Sequence, residues 1–186
     1  MDNDDRYPIV LLVSGGIGVT PCQSVGKHLL HAHANEGRKL DCMHFCWAVP
    51  HHQMVKSIPP PTWESDHVIT DPSVLATNIY VTRSSSKDHD QDHETAATST
   101  NNTVDYYEIH SGRPDLEAIF RTLKEKAQEN STRHIAVVAC GPSSLLQQVR
   151  ENCRNHSDSP FLGCGGCFDG QGSGVTFDLH EEIFEY

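Results

Sequence analysis

No stretch of this 186-residue chain holds the ~18 or more consecutive apolar residues that a membrane-spanning helix requires. The N-terminus, Met1-Asp-Asn-Asp-Asp5, lacks the apolar core of a signal peptide, so the chain reads as soluble, without direct membrane insertion. Positive charge is scarce: 14 Lys and Arg face 25 Asp and Glu, a net charge of -11. Such a surface repels phosphate backbones and anionic lipid, which argues against nucleic acid as a partner. A small anion could still bind, but only through local groups. Two nucleotide signatures are missing as well. No Lys-Ser/Thr closes the glycine-rich turn, which excludes an ATP-type phosphate loop, and no G-x-G-x-x-G is present. No clear acidic residue for a ribose follows the second strand, which argues against a soluble dehydrogenase.

Cysteine is present in odd number. With seven Cys and no secretory signal, reduced thiols in a cytosolic environment are expected. Cys164-Gly-Gly-Cys167 has redox or metal spacing, but it has no second pair and no following helix. It reads as a glycine-rich loop with incidental thiols.

The apolar residues, 37% of the chain, suffice for one core and gather in five places. Strands are expected at 6–13, 40–47, 78–82, 134–139 and 174–179, with β-branched or apolar runs at each. Between them, Val25, Leu29 and Leu30 mark a helix that breaks near Gly37. Arg113-Pro-Asp-Leu116 opens a second helix to about Gln128, with Pro114 in its first turn and Asp115 and Glu117 at its positive end. A third runs through Leu145, Leu146 and Val149. Residues 50–61, ending in three prolines, read as a surface connection. Residues 84–103 alternate His and Asp and then turn to Thr, Ala and Asn without apolar periodicity, and read as a disordered insertion rather than a metal tract.

Strands alternating with helices predict an α/β fold: a Rossmann-like three-layer sandwich around a roughly five-stranded parallel sheet. Ligands of such sheets sit beyond the carboxyl ends of the strands. The notable motifs fall there: Gly15-Gly-Ile-Gly-Val-Thr-Pro21 after strand one, Trp47 ending strand two, Thr82-Arg83 after strand three, and Cys140-Gly-Pro142 after strand four. Glycines at a strand–helix turn let a diphosphate approach the backbone, and the helix start supplies unpaired N–H groups. Thr20 adds a hydroxyl, and Pro21 removes an N–H that the first turn leaves orphaned anyway. A merely structural turn is the plain alternative. Cys140 has three readings: a nucleophile, which needs a base that no sequence neighbour provides; a small side chain lining a cofactor pocket; or a buried structural thiol, favoured when the residue is taken alone. The terminal Tyr186 is either a frayed tail or a ring able to stack on a flat heterocycle.

In family order, residues 12–21, 78–82, Gly112-Arg-Pro114, 138–142 with Leu145, and 174–186 together resemble the NAD(P)-binding domain of the ferric reductase and NADPH oxidase family, within the ferredoxin–NADP reductase superfamily. The resemblance implies a ferredoxin reductase-like C-terminal NADP-linked domain over residues 6–186. It implies NADPH or NADH held by Gly15, Gly16, Ile17, Gly18, Thr20 and Pro21 at the pyrophosphate. Thr82, Arg83 and Arg113 join the cofactor site, and Cys140, Gly141 and Pro142 place the nicotinamide. Tyr186 would cover the ring of FAD, and with Cys140 it is the candidate catalytic group. No metal ligand is implied.

The implied partners are flavin-binding and haem-bearing transmembrane domains, which would hold the chain on the cytosolic face of a membrane. Neither precedes strand one here, so a fragment, a separate module or an incomplete gene product is expected. Oxidases place an Arg soon after the strand-two Trp, whereas this chain reads Trp47-Ala-Val-Pro-His-His52. Arg83, His51, His52 or Lys56 would substitute, with NADPH ahead of NADH. Residues 112–116 and 177–182 are closer to metalloreductases than to oxidases. The leading expectation is therefore the NAD(P)H-binding module of a ferric-chelate reductase. The same module of a superoxide-generating NADPH oxidase comes next, then a nucleotide-binding or regulatory module without turnover.

Overall fold

The sequence Ile-Val-Leu-Leu-Val has no polar alternation, as expected of a strand covered on both faces. In the computed structural model, which describes residues 6–58, 74–83, 107–158 and 174–182, this run forms β1 (Ile9–Gly15), buried along its whole length. It lies between β2 (Cys42–Val49) and β5 (His134–Cys140), parallel to both. Beyond β2 come β3 (Leu75–Val81) and β4 (Tyr107–Ser111), and beyond β5 comes β6 (Thr176–Glu182). All five pairings are parallel, in the order β4-β3-β2-β1-β5-β6.

The chain steps outward from β1 to β4, then returns to the other side of β1 and steps the opposite way. Right-handed crossovers made in opposite directions place their helices on opposite faces. Accordingly α1 (Val19–Asn35) and α2 (His52–Ser57) cover one face, and α3 (Leu116–Glu129) and α4 (Ser143–His156) the other. Alternate residues of β1 serve the two cores. Val10 and Leu12 pack with Val19, Cys22 and Leu30, while Ile9, Leu11 and Val13 pack with Phe120, Leu123, Leu146 and Val149. Each such buried aliphatic side chain contributes roughly 1.5–3 kcal/mol relative to exposure. Among the described residues, no helix is long and apolar enough to cross a membrane.

Three local expectations need correction. The sheet has six strands, because Tyr107-Glu-Ile-His-Ser111 also pairs, parallel to β3. As an edge strand with no fully buried residue, it carries no apolar run to announce it. The stretch expected to be only connection holds α2, whose single buried residue is Val55. Helix α3 starts later than expected: the Asp115 carboxylate accepts the Ala118 N–H at 3.0 Å and acts as its cap, so Pro114 precedes the helix. The expectations for residues 84–103, for Cys164 and Cys167 and for Tyr186 lie outside the described residues.

A directed polar chain crosses the β4 side of the sheet. His110 Nε2 donates to Asn78 Oδ1 at 2.8 Å, which leaves the Asn78 amide to donate to His44 Nε2 at 3.4 Å. Accepting that bond requires a neutral imidazole, and burial lowers the His44 pKa to about 4. A histidine depressed in the folded state contributes stability that is complete above its unfolded pKa, near 6.5, and is lost as pH falls from there to about 4. We expect the chain to lose on the order of 2–3 kcal/mol across that interval. In His44→Leu that pH-dependent loss should largely vanish, as read by urea unfolding at stepped pH. An unchanged slope would show that other groups control acid stability.

Candidate functional site

β1 and β5 are the two strands between which the chain reverses direction, and their carboxyl ends almost touch. A Cβ on Gly15 would lie 2.6 Å from Pro142 Cδ, and one on Gly141 would lie 2.9 Å from the Gly15 nitrogen. A Cβ on Gly18 would lie 2.5 Å from the Cys140 carbonyl oxygen and 3.0 Å from its Sγ. At Gly18 and Gly141 a Cβ would meet backbone, and at Gly15 it would meet the Pro142 ring. Gly16 differs: space around it is open, but its φ of +56° is left-handed. From there a single 3-10 turn, Gly16–Gly18, leads directly into α1.

Beside this corner is a cleft of about 420 Å³. Six of the candidate residues meet on its wall: Gly15, Gly16, Thr82, Arg83, Arg113 and Pro142. Thr82 is pinned there, its N–H and hydroxyl both donating to the Val49 carbonyl at 2.8 and 3.0 Å. Arg83 and Arg113 are exposed, and neither has a carboxylate partner among the described residues. No described Asp or Glu lines the cleft, in a chain of net charge -11. Two helix N-termini flank it. Neither the turn leading into α1 nor α4 has a side-chain cap or an acidic residue in its first turn, whereas α3 has both. Among the described residues, these two helix starts therefore have no side-chain cap and no first-turn carboxylate to offset their orphan N–H groups and positive dipole ends.

The other candidates stand around the cleft rather than on its wall. Ile17 is 52% exposed at the tip of the turn. Thr20 is exposed, with its hydroxyl at 3.5 Å from the Ile17 carbonyl, and Pro21 is partly buried in the first turn of α1. His51, His52 and Lys56 are exposed at and along α2. Cys140 is fully buried behind Gly18, in the core under α1. Burial, reinforced by Glu182, pushes its thiol pKa up, so Cys140 is a neutral thiol and a poor nucleophile at physiological pH. The neighbouring Cys22 thiol, also buried and donating toward the Val13 carbonyl at 3.7 Å, is pushed up to about 12.

Sequence reading did not assign several contributors to the site. Met54 of α2 and Ser144, Leu145 and Gln148 of α4 also line the cleft. The 144/148 spacing is one helical turn, a signal available once α4 was placed. Trp47 was noted only for its position. Its buried ring donates Nε1–H to the Gly16 carbonyl at 2.9 Å, a bond between residues 31 apart that no local pattern shows.

The glycines should separate by mechanism. Gly18→Ala and Gly15→Ala force a Cβ into backbone or a proline ring and should destabilise by about 3 kcal/mol or more. Gly16→Ala meets no neighbour, so only left-handed strain of roughly 1–2 kcal/mol remains. Equal losses for Gly16 and Gly18 in urea titrations would contradict this division.

Comparison with known proteins agrees with this architecture. The family described as "Ferric reductase NAD binding domain" matches residues 7–154. Dual oxidase 1 of Caenorhabditis elegans is 26% identical over 168 residues, covering 79% of this chain and 10% of that protein. Dual oxidase 2 of Homo sapiens is 26% identical over 163 residues, covering 80% and 10%. The chain thus spans about a tenth of the length of the curated relatives it matches. With the match extending over most of its length and a parallel sheet that reverses at the glycine corner, the chain belongs to the ferric reductase NAD-binding domain family.

Proposed function

We propose that this chain binds NADPH across the carboxyl edge of its sheet and presents the nicotinamide to FAD held on another domain, as the pyridine-nucleotide half of a ferric-chelate reductase. The observation that carries the reading is a cleft without a described carboxylate, with two arginines on its wall that have no carboxylate partner among the described residues and uncapped helix starts beside it. A dinucleotide phosphate is the ligand class that matches such donors at both ends. The pyrophosphate belongs at Gly16, Ile17 and the start of α1, near Thr20 and Pro21. Thr82, Arg83 and Arg113 would take the 2′-phosphate, which favours NADPH over NADH. The nicotinamide lies toward Gly141 and Pro142, with Cys140 filling the space behind and Tyr186 covering the flavin.

When bound, the nicotinamide supplies the hydride and the flavin accepts it. The residues of this chain orient the ring and exclude water, and none acts as a general acid or base. Flavin-binding and haem transmembrane domains are the proposed partners, with this chain on the cytosolic face of the membrane. The dual oxidase relatives favour a second reading, the same module in an NADPH oxidase. The two readings share every step on this chain and differ in the terminal acceptor.

Calorimetric titration of the full chain with NADPH, NADH and FAD tests the reading. We expect NADPH to bind more tightly than NADH, and FAD to bind weakly or not at all. Arg83→Ala should weaken NADPH about tenfold while leaving NADH within about twofold. Equal losses for both nucleotides would remove Arg83 from the 2′-phosphate, and silence with every nucleotide would sink the binding reading. In protein reconstituted with the flavin domain, Tyr186→Ser should tighten NADP+. Unchanged affinity there would count against the stacking role.

A further inference from the structure

We infer that Trp47 is a positioning residue for the pyrophosphate, aiming the Ile17 amide outward as an anion donor. The inference deepens the nucleotide reading above and rests on it. Trp47 stands on β2 in register with Ser14 of β1, and it is fully buried in the core beneath α1. Its Nε1–H donates to the Gly16 carbonyl at 2.9 Å, so that carbonyl points inward. The Gly16 carbonyl and the Ile17 N–H share one planar trans peptide and therefore point in opposite directions. The Ile17 N–H thus faces away from the indole, on the side where the Ile17 side chain is 52% exposed and Gly16 borders the cleft.

What makes this a control rather than a coincidence is the chemistry of the indole. With Gly16 at φ +56° and nothing within 4 Å of a Cβ there, no packed side chain at that residue fixes its peptide plane, and turning the plane over would also drive Ile17 to positive φ. The flipped peptide would present a carbonyl oxygen to the incoming phosphate and its N–H to the protein. Indole Nε1–H is a donor only and cannot pair with that N–H. The flipped state would bury an unpaired indole donor against an unpaired amide, so the ring selects the anion-binding orientation. A Trp serving only as core filler would need some acceptor for its N–H, but not this one.

Replacing Trp47 by benzothienylalanine, which keeps the ring shape and exchanges N–H for sulfur, isolates the bond. The replacement is made in the full chain carrying Trp63→Phe, so that one site is altered. The ligands are ADP-ribose, which carries the pyrophosphate, and adenosine 2′-monophosphate, which does not. We expect ADP-ribose affinity to fall roughly tenfold with adenosine 2′-monophosphate unchanged and the melting temperature nearly constant. Trp47→Phe should give the same ligand pattern with some loss of stability. Undiminished ADP-ribose binding by the isostere would overturn the role of Trp47 while leaving the nucleotide reading intact. Parallel loss of both ligands, tracking the melting temperature, would also overturn it, as the mark of a packing residue. If the parent chain bound neither ligand, the nucleotide reading would fall and this inference with it.

Discussion

The carboxyl ends of β1 and β5 come together so closely that their backbones are in contact. Gly15 lies against Gly141 and Pro142, and Gly18 lies over the Cys140 carbonyl. A side chain at any of these glycines would push the two strand ends apart, and the rest of the site depends on their not separating. The approach sets where the 3-10 turn enters α1 and where α4 begins, and so brings two helix N-termini to one edge. It also explains Cys140. Enclosed between that turn and the α1 core, the residue has room for a small side chain and none for water, which keeps its thiol protonated.

Electrostatics at this edge run against the rest of the molecule. A chain of net charge -11 repels a dinucleotide phosphate at long range, so attraction has to be short-ranged and local. The cleft meets that requirement by exclusion as much as by attraction. The described carboxylates are kept off its wall, and the nearest helix that does carry a capping Asp, α3, uses it on its own Ala118 amide. Arg150 is neutralised by Glu181 at 2.7 Å, whereas Arg83 and Arg113 have no carboxylate partner among the described residues.

The central elements were legible because burial writes itself into composition. β1 and β5 lie between neighbours on both sides and under helices on both faces, so their sequences are continuous apolar runs. β4 was not legible, because an edge strand with one neighbour and mostly exposed residues has no such constraint. Its pairing is decided by β3 being available beside it. The short α2 hid for a related reason: one buried residue, Val55, gives no periodicity to read. In the site, the glycines, Thr82, Arg83 and the Cys140-Gly-Pro142 corner were visible from their places after strands. The Gly16–Trp47 bond and the α4 wall of the cleft were not.

Sequence alone determined the alternation of strands and helices, the glycine turn after the first strand and the family resemblance, since these depend on local propensity and on the spacing of apolar residues. The tertiary structure decided which glycines are required by contact and which by φ, which arginines have no described carboxylate partner, and that the indole of Trp47 reaches the Gly16 carbonyl. Those outcomes depend on distances between residues far apart in the chain. Only the packing of β1 between β2 and β5 fixes such distances, and no local window of sequence contains them.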